Sequence, residues 1–173
     1  MRNIILLKLL LFYSVSSFAS LPYINASELY ERADVVFIGN LNKMEADSEP
    51  NKFAILNNLF TIKGEPTSEI LFCGEPAIDK DGFASNELGV GAIGTNNQVY
   101  FFKKKDGCHV GAFGYKSIIY IKPGTNCIAA EFAYPFEDEY KDKLEPLELF
   151  VKKLIGDNGV ISFPKSFKTE KCE

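Results

Sequence analysis

An all-β unit, closed or sandwiched, with one amphipathic helix near the C-terminus is the fold class this 173-residue sequence predicts. Short apolar runs of strand length stand between Gly- and Pro-bearing turns, which is the mark of a small barrel or sandwich. The most apolar of these runs, Val35–Ile38, runs straight into Gly39, as a strand does where it bends from one sheet into another. Near the end the spacing changes to Leu147, Phe150, Val151 and Leu154, which puts apolar side chains on one helical face.

A leader precedes the β unit. Arg2 supplies a positive start, "IILLKLLLFYSV" a short apolar stretch, and Ser17 to Ala19 the small residues a signal peptidase reads. The stretch is too short for a membrane span, so residues 1–19 are expected to be a secretory signal and the mature chain to carry no membrane span. Its removal leaves 173 − 19 = 154 residues, the size of one ordinary domain, which can bury roughly 70% of its unfolded surface. Arg2 and Lys8 leave with it, so 19 − 2 = 17 basic residues face 23 acidic ones and the formal charge becomes −6. That balance argues against nucleic acid as a partner, because such binding wants a basic stripe that displaces counterions. All four cysteines, Cys73, Cys108, Cys127 and Cys172, lie in the mature part, and an even count in an exported chain reads as two disulfides with three possible pairings.

The elements follow in order. "NASELYERA" makes one or two helical turns with Asn25 or Ser27 as N-cap, and Asn25-Ala26-Ser27 is also a glycosylation sequon. Val35 to Ile38 are apolar in succession, so this first strand is covered on both faces. "NKFAILNNLFTIK" is a second strand ended by Lys63-Gly64, and "TSEILFC" a third stopped by Gly74 and Pro76. Residues 77–97 form a long connection. "QVYFFKK" is strand-like, "KKDG" turns into "CHVGAF", and "YKSIIYI" is closed by Pro123-Gly124. Pro146 is placed at the first helical position before Leu147, with Lys152 and Lys153 in the last turn and Gly156 as terminator. "GVISFPKSF" is expected to add an edge strand.

Chemistry-bearing motifs are few. Gly89 to Gly94 spell G-x-G-x-x-G, but neither flank offers the strand and helix that a dinucleotide needs, so the stretch reads as a glycine loop. Asp79 and Asp81 resemble the start of a calcium loop without its closing glutamate, and Asp-Gly is a common turn. His109 is the one histidine. Next to Cys108 on a strand it points to the opposite face, a poor arrangement for a metal ligand pair or a nucleophile and its base. No Gly-x-Ser-x-Gly elbow occurs. No catalytic, cofactor-binding or metal-ligating residue is expected. The mixed charges of "FEDEYKDKLEP" read as a solvated lead-in to the helix.

Ala33-Asp34-Val35-Val36-Phe37-Ile38-Gly39, then a strand ending at Lys63-Gly64, then Cys73, "VYFF" at 99–102 and Cys108 together resemble the netrin-like, tissue-inhibitor-of-metalloproteinase-like domain of small secreted proteins. The likeness spans roughly residues 31–121. It implies a five-stranded OB-like barrel with a curved first strand, in agreement with the reading of Gly39. It also implies the pairings Cys73–Cys108 and Cys127–Cys172, each worth about 4 kcal/mol in the chain-entropy account. The metalloproteinase inhibitors of that family open with a zinc-chelating cysteine. Here no cysteine precedes Cys73, so that mechanism is not carried over. The glycine loop and the tail beyond Ile121 lie outside the pattern.

The expectation is a single netrin-like barrel domain over residues 20–173 with a helical extension from about residue 127, exported to a periplasm or the extracellular space. It would act as a non-enzymatic protein-binding module. Leu21, Pro22 and Tyr23, apolar at the new N-terminus, are the candidate contacts with an unidentified protein partner. The alternative is an inhibitor of a secreted or envelope hydrolase, a lysozyme or a protease, acting through an acidic surface.

Overall fold

A computed structural model of the chain describes residues 24–45, 53–73, 96–115, 117–129, 144–156, 159–169 and 171–172. Helix α1 (Ala26–Arg32) opens this part, N-capped by Asn25, whose side chain accepts from the Glu28 amide at 2.8 Å. Seven residues make a marginal helix alone. Packing of the fully buried Leu29 holds it, together with Lys63, whose Nζ donates to the carbonyls of Tyr30 (2.7 Å) and Glu31 (3.4 Å) at the helix's C-terminal end.

Strands β1 (Val35–Glu45), β2 (Phe53–Lys63), β3 (Glu69–Phe72), β4 (Gln98–Lys105) and β5 (Cys108–Tyr115) are ordered β1-β2-β3-β5-β4, and β4 returns to pair with β1. The result is a closed five-stranded barrel of OB type, mainly antiparallel, with a parallel contact only between β3 and β5. The other edge of β4 is divided between β5, which pairs with Phe102 to Lys105, and β6 (Ile118–Tyr120), which pairs with Gln98 to Tyr100. The β4–β5 hairpin turns on Asp106 (φ 43°) and Gly107 (φ 88°), the two left-handed positions that a tight hairpin requires.

Strand β1 carries the closure. It pairs with β4 only from Val35 to Gly39, and with β2 from Val36 to Glu45, with a register shift between Ile38 and Gly39. At Gly39 it therefore leaves one neighbour and follows the other, the bend the sequence predicts. Asp34 ties its start to β4: the amide donates to Phe102 O at 2.8 Å and the carboxylate accepts from the Lys104 amide at 2.9 Å.

The uninterrupted run Val35–Ile38 is explained by two cores that share this wall. Val35 and Phe37 point into the barrel with Leu56, Ile70, Phe72 and Tyr100. Val36 and Ile38 point out and are covered by Leu29 of α1, by Leu147, Phe150 and Val151 of α2 (Leu147–Ile155), and by Phe163 and Phe167 of the tail. The C-terminal amphipathic helix thus packs on the barrel.

Beyond β6 the chain forms β7 (Cys127–Ala129), paired with β8 (Leu144–Pro146), and α2 starts only at Leu147. Pro146 is the N-cap, not the first helical residue, because its backbone is still extended within β8. The edge strand expected at 159–167 is not formed. Pro164 leads into a 3-10 turn, Lys165–Phe167, which lets Phe163 and Phe167 both reach the outer core, Phe163 edge-on to Phe60 at 5.2 Å.

Inside the barrel Tyr100 stacks on Phe37 with ring centroids 4.9 Å apart. Its hydroxyl has no hydrogen-bond partner among the described residues. Burial, and secondarily Tyr120, push the phenol's pKa above its usual 10. A raised pKa means that this residue's contribution to stability is whole below the unfolded value near 10 and is lost as pH rises past it. Tyr100→Phe keeps the ring and removes a buried group without a partner, so urea unfolding at neutral pH should show a gain of about 1 kcal/mol. The gain should grow above pH 10. A loss at neutral pH would show that the hydroxyl is satisfied.

Candidate binding face

The bend at Gly39 divides the outer surface of the barrel. The first half of β1, Phe60 and Ile62 of β2, and Val99 and Phe101 of β4 are roofed by the helices and tail. On the second half of β1, the first half of β2, and β3, the outward side chains Asn40, Ile55 and Asn57 are half-buried and Lys43, Glu69 and Leu71 are exposed. The described helices pack elsewhere. Along β3 exposure alternates, with Ile70 and Phe72 inward and Glu69 and Leu71 outward. Leu71 is 38% exposed, as Leu59 of β2 is at 46%, and the partner of Leu71 across β2, Ile55, is half-buried, so two aliphatic side chains lie together on this face.

The seam beside β3 is narrow. One parallel bridge, Phe72 to His109, joins β3 to β5, with a backbone bond from Cys73 N to His109 O at 2.9 Å. Two side-chain links reinforce it: the Cys73–Cys108 disulfide, and His109 Nδ1, which lies 3.1 Å from Leu71 O and donates to it. The second disulfide joins Cys127 to Cys172 and straps the tail to β7, where Asn126 Nδ2 also donates to Ser166 O at 3.0 Å. These are the two pairings that the family resemblance implies.

Register aligns one outward row across five strands of the barrel. Lys105 pairs with Cys108, Cys108 lies beside Leu71, Leu71 pairs with Ile55, and Ile55 with Lys43. Four inter-strand steps of about 4.8 Å make the row roughly 19 Å long. Its centre is aliphatic and disulfide, and its ends are lysines. A second, polar row runs below it: Asn57 Nδ2 donates to Asn40 Oδ1, and Asn40 Nδ2 to Asn97 Oδ1, each at 3.0 Å. Glu69, opposite Asn57, accepts from Asn42 Nδ2 at 3.1 Å. These amides use their hydrogen-bonding capacity on one another, which stiffens the face.

Sequence-predicted positions fall as follows. The four cysteines form the two staples, and none is free among the described residues. His109 is a seam cross-link, its ring committed to a backbone carbonyl. Among the described residues no cluster of His, Cys, Asp and Glu gathers at metal-holding distance. Leu21, Pro22 and Tyr23, the glycine loop at 89–94, and Asp79 and Asp81 lie outside the described residues. Sequence reasoning missed Leu71 and Ile55. The signal was there in the alternation of "EILF", where a leucine falls on the solvent side.

Fold and face together define a class: an OB-type barrel stapled by a disulfide and, among the described residues, roofed by helices on one outer face only. No protein-family model, no curated protein and no solved structure matches the chain. Among the described residues no helix is long and apolar enough to cross a membrane.

Proposed function

We propose that the protein is a non-enzymatic, exported protein-binding module of the netrin-like type, and that it docks its partner on the outer face of β1, β2 and β3. The observation that carries this reading is the pair Leu71, exposed, and Ile55, half-buried, aliphatic side chains side by side on a wall whose other half is roofed. The same side of an OB-type barrel is the one by which this fold commonly takes ligands. Export is supported by the leader and by two disulfides, which persist in oxidising compartments.

The test uses the oxidised chain as bait for secreted and envelope proteins of its own cell. Wild type is compared with Leu71→Asp on the face and with Leu149→Asp, a somewhat more exposed leucine on α2. Capture should fall about tenfold or more for Leu71→Asp and stay at the wild-type level for Leu149→Asp, with circular dichroism unchanged in both. Equal capture by all three overturns the assignment of this face. Alanine at Leu21, Pro22 and Tyr23 in the same assay tests the N-terminal contact.

A further inference from the structure

Resting on that docking face, we infer that its occupant is an acidic polypeptide segment that lays aliphatic side chains along Ile55, Leu71 and the disulfide and sets a carboxylate against the lysines that end β4. The charge argument is local. The chain as a whole is acidic, with a formal charge of −4, yet three successive exposed lysines, Lys103, Lys104 and Lys105, close β4. Lys104 turns to the barrel rim, where Glu65 lies 3.8 Å away. Lys103 and Lys105 point outward beside Val110 and Cys108, and neither has an ion pair among the described residues. Among the described residues four acids are near. Glu65 and Asp34 lie on the side of Lys104, where the Asp34 carboxylate accepts from the Lys104 amide. Asp106 is in the adjoining turn, and Glu69 is held by Asn42 one row below Leu71. Lys103 and Lys105 are the cations that face the row.

The shape of the row selects the class of partner. A small anion would use the lysine end alone and leave Leu71 and Ile55 in water. A nucleic acid would find no aromatic platform here, because Phe72 and Phe102 point into the barrel. A peptide offers both apolar and acidic groups, and about six extended residues cover a row of this length.

The probe is a fluorescein-labelled synthetic peptide of about a dozen residues in which Glu alternates with Leu and Val, long enough to overlap the row at both ends. A second peptide carries Lys in place of each Glu. Fluorescence anisotropy follows their binding to the oxidised full chain, to Lys103→Glu/Lys105→Glu and to Leu71→Asp. The acidic peptide should bind wild type, lose about tenfold or more in affinity on charge reversal, and lose binding with Leu71→Asp; the basic peptide should not bind wild type. Absence of binding by the acidic peptide, equal binding of both peptides, or indifference to charge reversal overturns the inference. The partner-capture assay separates the two levels. If charge reversal leaves capture intact while Leu71→Asp abolishes it, the docking face stands and the acidic occupant falls. If Leu71→Asp also leaves capture intact, the face itself is wrong.

Discussion

Gly39→Ala is expected to destabilise the protein by about 3 kcal/mol, lowering the urea midpoint by more than 1 M. Room decides this, since the backbone there is ordinary extended strand. A Cβ at this position would land on the carbonyl oxygen of Asn57, well inside van der Waals contact, and 2.8 Å from Cε2 of Phe37. The oxygen belongs to β2, whose pairing with β1 continues on both sides of the point, so it cannot retreat without opening the ladder. Nor can the Phe37 ring swing away, because Tyr100 is stacked on it and Phe102 packs edge-on at 5.6 Å. Gly107→Ala is the control. Nothing lies within 4 Å of its Cβ, and only the φ of 88° opposes it, so the cost should be about 1 kcal/mol. A Gly39→Ala variant as stable as wild type would mean that β1 and β2 do not approach so closely and that the barrel does not turn at this residue.

The same residue shows what the sequence made legible. An apolar run that ends in glycine has one economical reading, a doubly covered strand that bends, and both halves of that reading are local properties. The helix at Leu147 to Leu154 was legible for the same reason, since its spacing is fixed within two turns. Elements that owe their form to distant partners were not. Cys127 to Ala129 and Leu144 to Pro146 are strands of three residues, too short for any periodicity, and they exist because they pair with each other. The tail around Phe163 has a strand-like composition, yet it folds as a 3-10 turn because two phenylalanines four positions apart must reach one apolar patch. Asp34 and Lys63 drew attention only as letters in a pattern; their work, anchoring β4 and closing the end of α1, needs partners 70 and 33 positions away. The docking row was hidden more deeply. It joins five strands through register shifts at Val36, Ile38 and Leu41, and each shift changes which residues lie side by side.

Removal of the first disulfide, with Cys73→Ser/Cys108→Ser, should cost about 4 kcal/mol of a total that is roughly 5–15 kcal/mol for a domain of this size. The chain-entropy contribution follows from the sequence separation of 35. It is nearly the same for Cys127–Cys172, whose separation is 45, so entropy alone predicts two similar losses. Position tells them apart. Cys73–Cys108 reinforces a seam that otherwise rests, among the described residues, on one bridge, one backbone bond and the His109 ring, so its loss lets β3 swing from β5 and opens the barrel wall. Cys127–Cys172 lies outside the wall and holds the tail against β7. Hydrogen exchange on the two double variants, read beside urea unfolding, separates these effects. Without Cys73–Cys108, the amides of β3 and the Cys73 amide bonded to His109 should exchange faster at least tenfold, while the tail at Ser166 to Lys168 keeps its protection. Without Cys127–Cys172 the pattern should reverse. Wild-type exchange along Glu69 to Phe72 in the first variant would show that the seam holds without its staple. The distinction bears on function, because Leu71 and Cys108 stand side by side only while that seam is shut. Reduction should therefore erase the proposed docking row before it unfolds the outer core, and loss of peptide binding should precede loss of helical circular dichroism as reductant is raised.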